Sequence, residues 1–317
     1  MPISNNITET IGATPIVALD RLTLKLNRRV LAKVEYFNPG GSVKDRIALS
    51  MVQDAERRGL LRPGGTVIEL TSGNTGTGLA IVCAVRGYRM IAVMSEGNSV
   101  ERRQMLKAVG AEVELVPQAP GSTPGKVSGP DLALVETRTI ELTKRLKAFR
   151  PDQFINPSNA DAHELTTGRE ILEQTDGKVD AFVAAVGTGG TFIGVARALK
   201  KHNPAIQCYA VEPATAPFLA GKTITDPRHK IQGAGYMLTP PLWDVALCDG
   251  FLTASDNEAL QTARKLGKKE GVFAGFSSGA NVACAIKVAR KLSEGAVVVT
   301  ILPDTGLKYL STDLVEG

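Results

Sequence analysis

The chain has 317 residues, a length that fits about two domains or one large α/β unit. Hydrophobic residues make up 43% and charged residues 22%, which excludes disordered and fibrous proteins. The formal net charge is +5, but the basic residues occur as scattered pairs such as Arg102-Arg103 and not in the single stripe typical of nucleic-acid binding. We therefore expect solvated helix faces and no nucleic-acid partner.

The first residues of the chain, its apolar runs and its cysteines favour a cytoplasmic protein. Residues 1–10 lack the charged-then-apolar profile of a signal peptide, and no apolar run approaches the ~18 residues of a membrane span. The four cysteines form no C-x-x-C motif, and three lie in apolar segments, so we expect free buried thiols. No spacing of histidine, cysteine and carboxylate residues indicates a metal site.

Short apolar runs alternate with amphipathic stretches along most of the chain. The apolar runs predict strands at residues 30–35, 66–70, 90–94, 112–116, 179–186, 206–211 and 296–302. The amphipathic stretches predict helices at residues 43–58, 76–86, 99–109, 163–174, 191–202, 256–270 and 279–293. This alternation predicts an α/β fold with open, mainly parallel sheets flanked by helices.

Two segments interrupt the alternation. Residues 117–131 hold four prolines and three glycines, which predicts an exposed loop. Residues 147–157 break the pattern again and mark a boundary between lobes. We expect one unit over residues 1–317, with a smaller lobe at 38–150 and a larger lobe at 1–37 plus 151–317.

Glycine accounts for 32 residues, above its usual share of about 7%, and several glycines follow predicted strands. The most pronounced turn is Gly-Thr-Gly-Gly-Thr at residues 187–191, between a strand and a helix. Small residues let successive backbone N–H groups converge on an anion, and the helix N-terminus adds partial positive charge. The turn therefore predicts a phosphate site.

A dinucleotide site is the alternative interpretation of this turn. Glu212 ends the next strand, where an acid that binds a ribose can lie. The G-x-G-x-x-G fingerprint, however, requires glycine at position 192, which is Phe192 here. An NAD-dependent oxidoreductase is therefore disfavoured, and a lone phosphate group is the better ligand.

Two further segments carry polar groups at strand or helix ends. Residues 71–76 (Thr-Ser-Gly-Asn-Thr-Gly) offer hydroxyl, amide and backbone donors that suit a carboxylate or a phenolic oxygen. Lys44 opens a predicted helix, an unfavourable end for a cation, between the apolar residues Val43 and Ile47. Such a lysine suits imine formation, although a solvated surface lysine is an equal alternative on physical grounds.

Residues 38–46 (Asn-Pro-Gly-Gly-Ser-Val-Lys-Asp-Arg), 71–76 and 187–191 together resemble three signatures of the cysteine synthase (O-acetylserine sulfhydrylase) and cystathionine β-synthase family. The resemblance spans nearly the whole chain. It extends to Glu-Thr-Ile-Gly-Ala-Thr-Pro at 9–15, Glu-Arg-Arg at 101–103, Thr-Thr-Gly-x-Glu at 166–170, Lys-Ile-Gln-Gly-x-Gly at 230–235 and Pro-Asp-Thr-Gly at 303–306. It implies the two-lobed, tryptophan synthase β-like fold type II, with pyridoxal 5′-phosphate (PLP) as cofactor, a mobile smaller lobe and a homodimer.

The resemblance also implies roles for individual residues. Lys44 holds PLP as a Schiff base and is the catalytic base, Asn74 bonds the ring O3′, and Thr305 faces the pyridine nitrogen. The phosphate is bound by Gly187, Thr188, Gly189, Gly190 and Thr191. The substrate is bound by Thr71, Ser72, Gly73, Thr75, Gln153 and Gly233.

The reaction that the resemblance implies is O-acetyl-L-serine plus sulfide to L-cysteine plus acetate, through an aminoacrylate. Three segments depart from the sequence that is usual in this family, and they leave the identity of the leaving group and of the nucleophile open. They are Ser-Glu-Gly-Asn-Ser at 95–99, the long 117–131 loop, and Leu307-Lys308. O-Phosphoserine, homocysteine or synthesis of another β-substituted alanine therefore stay open, as does a serine acetyltransferase partner. A non-catalytic binding subunit is disfavoured because the lysine and both loops are intact.

Two other features are interpreted as structural. His163 lies between two motifs of the resemblance and is expected to have no role in the chemistry, while His202 and His229 lie in polar surroundings. Ser277-Ser278 precedes an apolar helix and predicts an N-cap, with a secondary role near the cofactor as the alternative.

Overall fold

Residues 3–315, which the computed structural model describes, form two β-sheets covered by helices. The strands are β1 (Ile16–Ala18), β2 (Arg29–Val34), β3 (Thr66–Leu70), β4 (Arg89–Ser95), β5 (Glu112–Val116), β6 (Ala181–Ala185), β7 (Gln207–Pro213), β8 (Gly250–Ala254) and β9 (Val297–Leu302). The α-helices are α1 (Asp20–Thr23), α2 (Lys44–Arg57), α3 (Asn74–Arg86), α4 (Val100–Ala108), α5 (Gly129–Leu146), α6 (Ser158–Ala162), α7 (Arg169–Gln174), α8 (Gly190–His202), α9 (Asp256–Lys265) and α10 (Phe276–Ala289). The predicted α/β class with mainly parallel sheets is confirmed.

The chain divides into two units, which we describe separately. The smaller unit comprises residues 3–11 and 44–158, and the larger unit comprises residues 12–43 and 159–315. The sequence suggested lobe boundaries at 37/38 and 150/151, whereas the units of the structure meet at 43/44 and 158/159. Residues 3–11 also belong to the smaller unit.

The smaller unit is a three-stranded parallel sheet in the order β3-β4-β5. Alternate side chains of each strand enter two cores, because successive residues of a strand point to opposite faces. Val67, with residues of α2 and α3, belongs to one core, while Ile68 belongs to the other with Val135 and Leu142 of α5. The register pairs Leu70 with Val93, so the loops after β3 and β4 leave the sheet at the same edge.

The larger unit is a six-stranded sheet in the order β1-β2-β9-β6-β7-β8. All its neighbouring strands are parallel except β1, which pairs antiparallel with β2 at one edge. Helices α9 and α10 contribute to the core on one face, and α8 contributes to the core on the other. Strands covered on both faces explain the near-continuous apolar runs seen in the sequence.

The structure corrects several expectations. Strands β1 and β8 were not predicted, since β1 has only three residues and β8 begins with a glycine. Helix α5 was also missed, because exposed apolar residues such as Leu134 and Ile140 obscure its buried stripe. Ser277 and Ser278 are not N-caps: Gly275 takes that position, and both serines lie in the first turn of α10.

The 117–131 loop is shorter than predicted, because α5 begins at Gly129. Its largely exposed backbone is organised around the fully buried carboxylate of Asp131. This carboxylate accepts hydrogen bonds from Ala119 N (2.7 Å), Ser122 Oγ (2.8 Å), and both the backbone N and Oγ of Ser128 (2.7 Å each). Burial alone would raise the pKa of Asp131, but these hydrogen bonds outweigh it and hold the pKa well below its ordinary value.

We expect Asp131→Asn to destabilise the protein in a pH-dependent way. A carboxyl whose pKa is lowered by folding stabilises the native state above its unfolded pKa of about 4, and the contribution is lost as pH falls through the folded pKa. The urea midpoint of unfolding should therefore be lower for the variant than for wild type, by a constant amount from pH 8 to pH 5. This difference between the two midpoints should become smaller in stronger acid.

The matched control is Glu112→Gln, which removes an exposed ion pair with Arg89 from the same unit. This control should shift the midpoint less, since exposed ion pairs contribute little to stability. A gap between Asp131→Asn and wild type that does not change with pH would contradict the assignment.

Candidate functional site

The turn at residues 187–191 has the form of an anion cradle. It follows β6 and leads into α8, with Gly189 in the left-handed region at φ +88°. Among the residues that the structure describes, the backbone N–H groups of residues 187–191 have no protein acceptor. Buried or partly buried N–H groups normally find a partner, so five consecutive free donors at a helix N-terminus fit a bound phosphate.

Glycine is required at two positions of this turn by close backbone approach. A Cβ on Gly187 would lie 2.0 Å from the carbonyl oxygen of Gly233, and a Cβ on Gly190 would lie 1.8 Å from Asn159 Oδ1. Asn159 Nδ2 in turn donates to Thr188 Oγ1 at 3.0 Å. The structure thus brings Gly233 close to the turn at residues 187–191.

His163 is a functional candidate that the sequence analysis treated as structural. It is fully buried, and its ring nitrogens lie 3.1 Å from Thr191 Oγ1 and 2.9 Å from Thr167 Oγ1. It begins a π-helical segment, His163–Gly168, and such segments are frequent at functional sites. The imidazole therefore holds the hydroxyl of Thr191 at the cradle, and the sequence analysis missed this because the two residues are 28 positions apart.

The dinucleotide alternative is disfavoured by the surroundings of two residues. Phe192 is buried, and its ring centroid lies 6.1 Å from that of Phe182 and 5.3 Å from that of Trp243. The side chain at this position is therefore part of the hydrophobic core. Both oxygens of Glu212 accept backbone hydrogen bonds, from Leu219 N (2.7 Å) and Ala220 N (2.9 Å). An acid engaged with its own loop is a poor partner for a ribose.

In the smaller unit, the segment at residues 71–76 connects β3 to α3. Thr71 Oγ1 accepts from Gly76 N at 2.9 Å, and Ser72 Oγ accepts from Arg102 Nη1 at 3.1 Å. Thr75 Oγ1 donates to Gln153 Oε1 at 2.6 Å, although 78 residues separate the two in the sequence. Thr71, Ser72, Thr75 and Gln153 thus belong to one constellation of hydroxyl and amide groups, which suits a carboxylate.

Lys44 is the first residue of α2 and is partly buried. The start of α2 packs closely against α3, because a Cβ on Gly78 would lie 3.1 Å from both the carbonyl oxygen of Lys44 and the Cα of Asp45. The lysine therefore lies on a helix whose position is fixed relative to the helix that carries Asn74 and Thr75.

The region around Thr305 in the larger unit contains more than one hydroxyl. Thr305 Oγ1 caps a short 3₁₀ helix by accepting from Leu307 N at 3.2 Å, and Thr305 N donates to Gly41 O at 3.2 Å. Residue 305 also pairs with Ala274, just before α10. Ser278 Oγ in the first turn of α10 is buried with no hydrogen-bond partner among the described residues.

The Arg102-Arg103 pair does not form the solvated helix face that we expected. Arg102 donates to Ser72 as described, and Arg103 Nη2 donates to Asn98 O at 2.9 Å and also contacts Glu96 O. Gly97 has no room for a side chain, since its Cβ would lie 2.8 Å from Gln118 Nε2. The segment at 95–99 is therefore held from both sides, by Arg103 and by Gln118.

The residues present fit PLP. The 187–191 turn offers backbone and hydroxyl donors for a phosphate, and the constellation in the smaller unit offers donors for a carboxylate.

No helix within residues 3–315 combines the length and the apolar character needed to cross a membrane. The three cysteines expected to be buried, Cys83, Cys208 and Cys284, are buried free thiols.

Comparisons with known proteins agree with this fit. Residues 7–304 match the family described as pyridoxal-phosphate dependent enzyme. A cysteine synthase of Staphylococcus aureus strain Mu50 is 46% identical over 315 residues, covering 98% of this chain and 96% of that protein. The crystal structure of an O-ureido-L-serine synthase is 44% identical with a TM-score of 0.90, covering 100% of this chain and 96% of that one. That of O-acetylserine sulfhydrylase isoform 3 from Entamoeba histolytica is 40% identical with a TM-score of 0.92, covering 100% and 92%.

The match over almost the whole chain defines the class: this is an enzyme that uses PLP as its cofactor. The chain belongs to the pyridoxal-phosphate-dependent enzyme family, with the α/β fold of its fold type II members and relatives of the cysteine synthase kind. The resemblance seen in the motifs is confirmed.

We expect His163→Asn to weaken retention of PLP. Loss of the imidazole contact to Thr191 removes one hydrogen bond of the buried network and should raise the dissociation constant of PLP about tenfold. Equilibrium dialysis of the holoenzyme measures this constant. His202→Asn, at the exposed far end of α8, is the control and should retain wild-type affinity. Equal retention by both variants would show that His163 does not position the cradle.

Proposed function

We propose that the chain catalyses a β-replacement in which O-acetyl-L-serine and sulfide give L-cysteine and acetate. The observation that carries this proposal is the row of free N–H donors at 187–191, which fits the phosphate of PLP in a chain 46% identical to a cysteine synthase. The hydroxyl and amide groups around Thr75 and Gln153 supply the second requirement, a site for the carboxylate of an amino acid.

The phosphate site uses backbone and side-chain donors together. Residues 187–191 contribute N–H groups, and Thr188 and Thr191 contribute hydroxyls that Asn159 and His163 hold in place. Because these donors are fixed before the ligand arrives, binding costs little reorganisation.

Lys44 would hold the cofactor through its Nζ, and the same amine is the group that would take the α-proton of the substrate. When bound, PLP supplies an electron-withdrawing ring that stabilises negative charge at the α-carbon. Thr305 would hold the ring nitrogen with a neutral hydroxyl, which would leave the ring a weak electron sink and so favour loss of the β-substituent. Asn74 would hold the ring oxygen O3′ and so orient the ring.

The carboxylate of the substrate binds at the turn after β3. Thr71 accepts a hydrogen bond from Gly76 N through its oxygen, which leaves its hydroxyl proton able to donate to a ligand. Ser72 accepts from Arg102 in the same way, and the guanidinium adds positive charge beside this group. Gly73 allows the backbone to approach the ligand, and Gly233 plays the same part in the larger unit, where its φ is +82°.

A second candidate function is the synthesis of another β-substituted alanine. The observation that favours it is the relative described as O-ureido-L-serine synthase, 44% identical over the full chain. O-Phosphoserine as donor and homocysteine as nucleophile are further alternatives within the same chemistry. A homodimer, a serine acetyltransferase partner and a cytoplasmic location also belong to this proposal, the first two as implications of the motif resemblance.

Lys44→Ala should lower the rate of L-cysteine formation by about a thousandfold or more, because one group serves as both anchor and base. The visible absorption of the purified protein with PLP should change as well. Lys201→Ala, an exposed lysine on α8, is the control and should match wild type. A Lys44→Ala protein with unchanged spectrum and rate would overturn the assignment of Lys44.

The choice of nucleophile is tested with O-acetyl-L-serine as a fixed donor. Sulfide should give L-cysteine with a kcat/KM at least about tenfold above that of hydroxyurea, whose oxygen would give O-ureido-L-serine. The opposite ratio would favour the second candidate function. Replacing the donor by O-phospho-L-serine should slow the reaction, and a faster reaction would identify the phosphorylated donor as the substrate.

A further inference from the structure

Glu69 is a buried acid that has no part in the cofactor site or in the catalytic steps described above. It lies on β3, two residues before Thr71, and is 2% exposed. Its Oε2 accepts a hydrogen bond from the backbone N of Asp152 at 2.8 Å. A carboxyl group inside a sheet is costly, so its presence in an otherwise apolar strand calls for a physical reason.

The segment that contains Asp152 runs along the edge of β3. Phe149 pairs with Val67, with hydrogen bonds from Phe149 N to Thr66 O and from Ile68 N to Phe149 O, both 2.9 Å. Residue 152 then turns into the left-handed region at φ +47°, which non-glycine residues seldom occupy. The Glu69 bond therefore fixes a strained residue.

The next residue, Gln153, is one of the residues that we propose to bind the substrate carboxylate. Its Oε1 accepts from Thr75 Oγ1 at 2.6 Å, in the constellation to which we assign the substrate carboxylate. A shift of the Asp152 peptide would move Gln153 and break this short contact. Glu69 thus connects the interior of the sheet to a binding residue that lies 84 positions further along the chain.

We propose that Glu69 is a positioning residue for the carboxylate site: it holds the backbone of Asp152 and so sets Gln153 against Thr75. This inference rests on the proposed function, because it needs Gln153 and Thr75 to bind the carboxylate of an amino acid.

The charges around Glu69 are consistent with that role. The pKa of Glu69 is raised to about 8: burial is the main cause and Asp152 adds to it, while Arg150 and the hydrogen bond from Asp152 N act in the opposite direction. Arg150 is itself held by Glu136 through two hydrogen bonds of 2.7 and 2.8 Å. The raised pKa favours the neutral carboxyl, and either form can accept the hydrogen bond from Asp152 N.

The test measures the dissociation constant of L-alanine from the PLP-loaded enzyme, through the change in the visible spectrum. L-Alanine has the α-amine and carboxylate but no leaving group. We expect Gln153→Ala and Glu69→Leu each to raise this constant about tenfold. Glu69→Gln keeps an acceptor for Asp152 N, so its dissociation constant for L-alanine should stay within about threefold of wild type. In Glu69→Leu and Glu69→Gln, kcat with saturating O-acetyl-L-serine should also stay within about threefold of wild type.

Two further variants separate positioning from general loosening. The double variant Glu69→Leu/Gln153→Ala should bind L-alanine no more weakly than Gln153→Ala, because residues that act through one contact are not additive. Ile68→Val, which removes a buried methylene from the same strand, should bind as wild type. If Glu69→Leu does not fold, Glu69→Asp replaces it, since the shorter acid cannot reach Asp152 N and should weaken binding equally.

The outcomes separate this inference from the proposal on which it rests. Wild-type affinity in folded Glu69→Leu or Glu69→Asp, together with weakened Gln153→Ala, would overturn the role of Glu69 and leave the carboxylate site intact. Wild-type affinity in Gln153→Ala would overturn the carboxylate site, and this inference with it.

Discussion

Close backbone approach around residues 187–194 is the constraint on which the cofactor site depends. Cβ atoms at positions 187, 190 and 194 would lie 2.0 Å from Gly233 O, 1.8 Å from Asn159 Oδ1 and 2.1 Å from Ala160 O. Because glycine has no Cβ, α8 can pack directly against the segment that supplies Asn159 and His163. Those two side chains then hold the hydroxyls of Thr188 and Thr191, while the N–H groups of the turn keep no protein acceptor.

The same physical arrangement recurs in the smaller unit with a different result. The loop after β3 also leads into a helix, but here some of its N–H groups and hydroxyls form hydrogen bonds within the protein. Gly76 N donates to Thr71 Oγ1, and Thr75 Oγ1 donates to Gln153 Oε1. The result is a mixed set of hydroxyl, amide and guanidinium groups. Two turns that look alike in composition thus differ in chemistry, one suited to a phosphate and the other to a carboxylate.

Much of this could be predicted from local patterns. The apolar runs predicted seven of the nine strands within residues 3–315, and short motifs such as residues 71–76 and 187–191 carried the resemblance to the family, because each of these signals lies within a few consecutive residues. Features that depend on distant residues were missed. The fully buried Asp131 looks like an ordinary polar residue of a proline-rich loop until its contacts with Ala119 and Ser122 are seen. The roles of His163 and Glu69 likewise depend on Thr191 and Asp152, 28 and 83 residues further along the chain.

A crystal structure of the protein with PLP bound would show directly where the phosphate group lies. We expect it within hydrogen-bonding distance of the backbone N–H groups of residues 187–191 and of the hydroxyls of Thr188 and Thr191. A phosphate bound instead at residues 71–76, or away from both turns, would contradict this expectation.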